Sequence, residues 1–240
     1  MKNIIIDINP SQLDIYEKYH KIGTNEWRAV AAKDKAAHIL FLCNDLKINK
    51  LVEVGAGEGS VLLELERNNF KADYYALEVA QTAVDAIQNR DIKSLKDVSL
   101  FDGYQIPYDD NYFDLSILTH VLEHVEHPRL LLTEVKRVSK NIFVEVPLEN
   151  NAQGRKDQIN AIKYGHINYY DLFNIRMLYA TVGLKITRDK IFNNSKHIFK
   201  YQSGKLGIIK YLVKEAALKA MPSIALKLFS YVYAAKLEKV

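Results

Sequence analysis

Three glycines at alternate positions, Gly55, Gly57 and Gly59, mark a loop that could hold a ligand against bare main chain. Residues of buried-strand character precede them and a helical pattern follows, which predicts the first strand-to-helix crossover of an α/β fold. Because glycine has no Cβ, a ligand can approach the backbone beside a helix N-terminus. Glu78 ends the next predicted strand about 20 residues later, where a carboxylate can accept both hydroxyls of a ribose. This spacing favours an adenosine-containing ligand.

The spacing of the glycines separates two classes of cofactor. A dinucleotide site has the pattern G-x-G-x-x-G, but Ser60 stands at the position of its third glycine. Glu53 lies in the strand two positions before the first glycine. The stretch from Glu53 onward closely resembles the E/D-x-G-x-G-x-G motif of class I S-adenosylmethionine-dependent methyltransferases. The glycine loop alone leaves both interpretations open.

A second match makes the methyltransferase interpretation the stronger one. Residues 106–114 (IPYDDNYFD) resemble the run that leads this family into its fourth strand. The resemblance, to the type 11/23-like small-molecule methyltransferases, covers about residues 51–201. It implies a Rossmann-like α/β fold with helices on both faces of a mostly parallel seven-stranded sheet. The implied strand order is 3-2-1-4-5-7-6 with the last strand antiparallel, plus an N-terminal helical lid and a C-terminal helical extension.

The resemblance also implies the cofactor, S-adenosyl-L-methionine, and its product, S-adenosyl-L-homocysteine. In the family an acid after strand three faces the adenine amino group, and Asp102 occupies that position; Phe101 or Tyr104 could cover the ring. The predicted cofactor-binding residues are Glu53, Gly55, Ala56, Gly57, Gly59, Glu78, Val79, Phe101, Asp102, Gly103, Thr119 and His120.

Histidines follow the fourth predicted strand. His120-x-x-Glu123-His124 fits the inverted zinc-peptidase pattern H-x-x-E-H, in which two imidazoles share a metal. Here the pattern begins at a strand end and Pro128 opens a new helix soon after, so the prediction includes no metal. His120 lies at the carboxyl end of its strand, where α/β sheets bind ligands, and His124 is predicted to be structural. His166 serves either as a loop anchor or in acceptor binding and base chemistry, so His120 and His166 are the catalytic candidates.

The acceptor is predicted to be a small molecule. No Asn-Pro-Pro-Tyr-type motif is present, which disfavours nucleic acid. The polar segment at 148–164 and the basic, apolar tail resemble methyltransferases that act on bacterial surface-sugar precursors, which implies O-methylation of a sugar or a phosphorylated molecule. Two alternatives are a non-catalytic cofactor-binding partner subunit and an NAD-dependent oxidoreductase. The predicted acceptor contacts are Tyr16, Tyr19, Trp27, Arg28, His166 and Tyr169.

The whole chain sets the context for this site. Its 240 residues carry a net charge of +4 and one cysteine, Cys43, which fits a reducing compartment. With no signal-peptide pattern and no long apolar run, we expect a cytoplasmic protein. Residues 1–46 are predicted to form a helical lid, or a helix pair packed on the sheet, and residues 47–204 the methyltransferase domain, closed by a hairpin of 184–192 and 197–201. Residues 205–240, with seven lysines and two glutamates, are predicted to form basic amphipathic helices that contact a second subunit or the inner face of a membrane.

Overall fold

A seven-stranded sheet organises the chain. The computed structural model describes Asp14 and residues 25–240. The strand order is β3-β2-β1-β4-β5-β7-β6, as the sequence predicted, with β7 antiparallel to both of its neighbours and the other pairings parallel. The strands are β1 (Lys50–Val54), β2 (Asp73–Glu78), β3 (Leu95–Leu100), β4 (Phe113–Thr119), β5 (Ser139–Leu148), β6 (Leu184–Phe192) and β7 (Tyr231–Lys239).

Helices cover both faces of the sheet, because each face carries its own apolar core. One core joins the sheet to α4 and α6, and the other joins it to α1, α2 and α3. The helices are α1 (Asn25–Leu42), α2 (Ser60–Arg67), α3 (Gln81–Gln88), α4 (Pro128–Val138), α5 (Ala152–Lys163), α6 (Leu172–Thr181), α7 (Lys196–Ala220) and α8 (Pro222–Leu228); a 3-10 turn spans Leu122–His124.

The last strand lies elsewhere than the sequence predicted. Residues 197–201 belong to helix α7, so the predicted hairpin with β6 is wrong. The strand that closes the sheet is β7, within the tail predicted to be wholly helical. Its side chains from Tyr231 to Leu237 are buried because β7 pairs with β5 on one side and β6 on the other. Helices α7 and α8 therefore form an insertion between β6 and β7.

Two other segments are helical. Trp27 and Arg28 lie in helix α1. The segment after β5 is mostly helix α5. Tyr16 and Tyr19 lie outside the described residues, and so does half of the predicted lid, residues 1–46. Across residues 25–240, none of the helices combines the length and apolar character needed to cross a bilayer.

Candidate active site

A cleft of about 960 Å³ opens at the carboxyl ends of β1, β2, β4 and β5. Its walls include the glycine loop after β1, the turn after β4, helix α1 and helix α7. The sheet order reverses between β1 and β4, and such a switch point is where open α/β sheets bind ligands. The volume lies at the upper end of the range for small-molecule pockets, about 300–1,000 Å³. One cleft can therefore hold a cofactor and an acceptor side by side.

The glycine loop forms one wall of the cleft through backbone geometry that other residues rarely adopt. Gly55 and Gly59 have φ angles of 73° and 75°. A Cβ on Gly55 would lie 2.7 Å from a methyl carbon of Val121, in the turn after β4. The loop and that turn are therefore in close contact, and the loop offers its main chain to the cleft.

Glu78 is positioned by the loop it faces. It ends β2 and is almost fully buried, and its carboxylate accepts hydrogen bonds from the N–H groups of Gly57 and Val79. The same side chain lines the cleft. The structure therefore brings together the glycines and the acid that the sequence predicted to act jointly.

Glu53 is the second carboxylate on this side of the cleft. Burial raises its pKa to about 8, against the opposing effects of Lys35 and of the Thr119 hydroxyl, which donates to Oε1 over 3.2 Å. Its other oxygen, Oε2, has no hydrogen-bond partner within the part of the chain that the structure describes. An ammonium group of a bound ligand would satisfy this oxygen. The residues present thus fit S-adenosylmethionine, whose methionine part carries such a group.

Arg28, predicted to contact the acceptor, lines the cleft and connects helix α1 to the glycine loop. Its guanidinium lies 2.9 Å from the carboxylate of Glu58, the residue between Gly57 and Gly59. Glu58 also contacts Arg90 at 3.2 Å and accepts a hydrogen bond from the Ser60 hydroxyl. These contacts link α1, the glycine loop and Arg90, which follows α3, in one network.

His120 lies between two buried carboxylates. It directly follows β4 and has a φ of 60°, which is uncommon for a residue with a side chain. Its Nδ1 is 3.1 Å from Glu123 and its Nε2 is 3.3 Å from Glu145. Burial and Lys35 alone would lower its pKa, but the two carboxylates prevail and raise the pKa to about 9. Because it is a cation at neutral pH, His120 is poorly suited to accept a proton.

The second oxygen of Glu145 extends this arrangement to helix α1. Glu145 Oε2 lies 2.7 Å from Nδ1 of His38, whose ring stacks on Phe192 at a centroid distance of 3.7 Å. A buried chain thus runs from His38 through Glu145 and His120 to Glu123. The sequence analysis missed His38 and Glu145. The signal that could have found Glu145 is its position inside an otherwise apolar strand.

His166 and His124 face each other further along the cleft. Their rings are nearly perpendicular at a centroid distance of 4.8 Å. His166 Nδ1 is 2.8 Å from a carboxylate oxygen of Glu149, and His124 Nδ1 is 3.1 Å from the carbonyl oxygen of Gly165. Both lie against the cleft that the glycine loop opens. His166 is thus at the site, together with a histidine predicted to be only structural.

Among the predicted site residues that the structure describes, which exclude Tyr16 and Tyr19, most line this cleft and three do not. Asp102 uses Oδ1 to accept the backbone N–H groups of Tyr104 and Gln105. Gly59 and Tyr169 also lie outside the lining. The predicted residues in the lining are Trp27, Arg28, Glu53, Gly55, Ala56, Gly57, Glu78, Val79, Phe101, Gly103, Thr119, His120 and His166.

This fold, with a glycine loop and a strand-end acid at its switch point, is that of the class I S-adenosylmethionine-dependent methyltransferases. The comparisons with known proteins agree. The family model described as "Methyltransferase domain" matches residues 52–141. Residues 52–141 thus match a methyltransferase domain, and the fold around them is that of the class I enzymes, for which S-adenosylmethionine is the cofactor.

Similar proteins include one curated sequence and many solved structures. The "Putative methyltransferase YrhH" of Bacillus subtilis (strain 168) is 24% identical over 160 residues, which cover 62% of this chain and 87% of that protein. Geranyl diphosphate C-methyltransferase from Streptomyces coelicolor A3(2) has a TM-score of 0.67 at 14% identity, over 98% of this chain and 100% of that one. A SAM-dependent methyltransferase from Aquifex aeolicus has a TM-score of 0.58 at 14% identity, over 97% and 100% of the two chains. At these identities, the structures show a shared fold.

Proposed function

We propose that this methyltransferase O-methylates a small hydroxylated molecule, a sugar or a phosphorylated precursor in the synthesis of bacterial surface polysaccharide. One observation carries the proposal: the paired His166 and Glu149 lie in the same cleft as the glycine loop. The end of the cleft at the glycine loop would thus bind the cofactor, and the end at His166 carries a group that can accept a proton from the acceptor. Methyl transfer to a hydroxyl requires both. The choice of surface-polysaccharide synthesis rests on the resemblance of the sequence to methyltransferases that act on bacterial surface-sugar precursors.

The cofactor end would be formed by the residues already described. Glu78 would accept the ribose hydroxyls, the main chain of the glycine loop would lie against the methionine part, and Glu53 would take the ammonium group. When bound, S-adenosylmethionine supplies a methyl group already activated by its sulfonium. The task left to the protein is to align the acceptor with that methyl group and to exclude water.

The acceptor end has to remove a proton from the hydroxyl. His120 is protonated at neutral pH and is therefore disfavoured as the base. His166 is held by Glu149 through Nδ1, which leaves Nε2 as the nitrogen with a lone pair. Loss of the hydroxyl proton would therefore occur at the end of the cleft formed by His166, His124 and Glu123.

A buried lysine supports a phosphorylated acceptor. Lys214 of helix α7 lines the cleft, and burial lowers its pKa to about 8. Its ammonium group donates to the carbonyl oxygen of Ser230 and lies 4.8 Å from the centroid of the Tyr231 ring. A phosphate in the cleft would provide a full negative charge for this cation and would raise its pKa again.

His166→Ala is expected to lower kcat by about 100-fold or more, because loss of a group that assists proton transfer typically costs that much. The affinity for S-adenosylhomocysteine should change less than about twofold, since the glycine loop and Glu78 remain intact. Turnover is measured with radiolabelled S-adenosylmethionine on a panel of sugars, sugar nucleotides and sugar phosphates, with RNA included as an acceptor expected to fail. Cofactor affinity is measured by calorimetry.

The matched control is His197→Ala, an exposed histidine of α7 outside the cleft lining. An unchanged kcat in His166→Ala would remove His166 from the chemistry. If the wild-type chain binds S-adenosylhomocysteine but methylates no acceptor of the panel, the alternative of a non-catalytic partner subunit is favoured.

We also propose that helices α7 and α8 contact an anionic lipid surface. Both present large apolar side chains to solvent, and four exposed lysines lie among them, which suits an interfacial site. The apolar side chains are Leu206, Ile208, Ile209, Leu212, Val213, Ile224 and Leu228, and the lysines are Lys205, Lys210, Lys219 and Lys227.

The wild-type chain is therefore expected to sediment with phosphatidylglycerol vesicles and not with phosphatidylcholine vesicles, and salt should weaken this binding. The double variant Ile209→Glu/Val213→Glu should lose it. Phe173→Glu, an equally exposed apolar residue on α6, is the control and should retain it. A concentration-dependent dimer that the double variant abolishes, without vesicle binding, would assign this surface to a second copy of the chain instead.

A further inference from the structure

We propose that Glu123, His124 and His166 bind one divalent transition-metal cation. One nitrogen of each imidazole and one carboxylate oxygen lie within 4.8 Å of one another. The first two residues belong to the 3-10 turn after β4 and the third to the loop before α6, so two separate parts of the chain converge. Two imidazoles and a carboxylate form a donor set that binds Zn²⁺, Fe²⁺ or Mn²⁺ in proteins.

The protonation of both rings is already suited to binding a metal. His166 Nδ1 faces a carboxylate oxygen of Glu149, and His124 Nδ1 faces the carbonyl oxygen of Gly165. Since both partners accept hydrogen bonds, Nδ1 carries the proton in each neutral ring and Nε2 keeps a lone pair. Histidines that bind metals usually donate their second nitrogen to a carboxylate or carbonyl in this way.

Glu123 supplies independent evidence for a positive ligand. Its side chain is 0% exposed, and neither carboxylate oxygen has a hydrogen-bond partner among the described residues. Oε1 of Glu123 lies 3.1 Å from the positively charged ring of His120, but this contact is not a well-formed hydrogen bond. The imidazolium of His120 offsets the charge of Glu123 at Oε1, and Oε2, which has no hydrogen-bond partner among the described residues, remains able to coordinate a cation.

The geometry needs only a small adjustment. Ligand atoms about 2.1 Å from one cation are at most about 4.2 Å apart, so the widest pair would close by roughly 0.6 Å. His166 is the side chain that can move, because it lies in a loop and is partly exposed. Mg²⁺ is disfavoured, since it prefers oxygen ligands in near-octahedral geometry.

Three protein ligands leave coordination positions open toward the cleft, which is the arrangement of catalytic rather than structural sites. This role rests on the proposed function: an acceptor hydroxyl bound there would lose its proton to solvent more readily, as metal-bound water does. His166 would then act as a ligand, and the cation would lower the pKa of the hydroxyl. Metal binding itself can be tested without any acceptor.

The test is a calorimetric titration of the tag-free full-length chain with Zn²⁺, after chelator treatment and dialysis, with Mn²⁺ and Mg²⁺ as comparators. We expect one Zn²⁺ per chain with micromolar or tighter affinity, and weaker binding of Mg²⁺. His166→Ala and His124→Gln should each weaken Zn²⁺ binding by at least tenfold, and Glu149→Ala, which removes the acceptor of the ring proton, should do so by about tenfold. Co²⁺ should give visible absorption bands that His166→Ala loses.

His197→Ala serves as the control for adventitious binding to an exposed histidine and should leave Zn²⁺ affinity unchanged. Folding of every variant is monitored by S-adenosylhomocysteine affinity and thermal unfolding. Variants that bind S-adenosylhomocysteine and Zn²⁺ as the wild type does would overturn the metal site and leave the methyltransferase proposal intact. Tight Zn²⁺ binding with no methylation of any acceptor would support the site and contradict the proposed O-methylation.

Discussion

Glu145→Gln is expected to lower the free energy of unfolding at pH 7 by about 3–5 kcal/mol, the usual cost of removing one partner from a buried ion pair. Glu145 contacts His38 and His120 with its two oxygens and is 1% exposed. The glutamine keeps the size of the side chain, so the loss reports on charge and hydrogen bonding and not on a cavity. Urea unfolding followed by circular dichroism measures the change.

The effect of Glu145→Gln on the free energy of unfolding should also depend on pH, in a direction set by the pKa of His120. The folded-state pKa of His120, about 9, is above its ordinary value of 6.5, so its stabilisation is complete below about pH 6.5 and is lost as the pH rises through about 9. The difference in the free energy of unfolding between wild type and Glu145→Gln should therefore narrow as the pH rises from about 6.5 to about 9. Asp91→Asn, an exposed carboxylate, should change stability by less than about 0.5 kcal/mol. A difference between Glu145→Gln and wild type that stays constant from pH 6 to 10 would contradict the charged pairing.

Glu78→Ala is expected to weaken S-adenosylhomocysteine binding by about 100-fold, equivalent to roughly 3 kcal/mol. The carboxylate is the predicted acceptor for the ribose hydroxyls, and it also holds the N–H groups of Gly57 and Val79. Its removal costs ligand contacts and loosens the loop at once. Calorimetry with S-adenosylhomocysteine measures the affinity, and thermal unfolding reports the loss of the loop contacts.

Two further variants separate these causes. Asp73→Ala, at the exposed opposite end of the same strand, should bind S-adenosylhomocysteine normally. Glu78→Gln retains one acceptor oxygen and should lose less affinity than Glu78→Ala. Undiminished binding of S-adenosylhomocysteine by Glu78→Ala would show that this acid does not hold the ribose.

The cofactor half of the site could be predicted because its signals are local in sequence. Gly55, Gly57 and Gly59 have positive φ angles, which only glycine adopts freely. The loop can therefore be recognised from one short stretch of sequence. Glu78 ends the neighbouring strand, and parallel pairing of β1 with β2 brings it to the loop without any other information. The strand order followed from the resemblance rather than from the physics of single segments.

The acceptor half could not be predicted, because its contacts join distant parts of the chain. His38 and Glu145 are 107 residues apart, and His166 meets His124 only through the loop before α6. Periodicity reports which face of an element is apolar, not which side chains of different elements meet. The charge of His120 could not be predicted for the same reason, since it depends on two carboxylates, one of them that of Glu145 on another strand.

The position of β7 was missed because residues 197–201 (HIFKY) include Ile, Phe and Tyr, which favour strands, although they belong to a helix. The position of β7 is instead determined by its hydrogen-bonded pairing with β5 and β6. Tertiary pairing decides such cases over local propensity.

The insertion between β6 and β7 has a consequence for synthesis on the ribosome. Within the part of the chain that the structure describes, β6 pairs with β7 alone, and residues 193–230 separate the two strands. At a translation rate of about 5–20 residues per second, roughly 2–8 s pass between the synthesis of β6 and that of β7. During this interval β5 and β6 each present an open edge, which makes the nascent chain a substrate for chaperones until its final strand arrives.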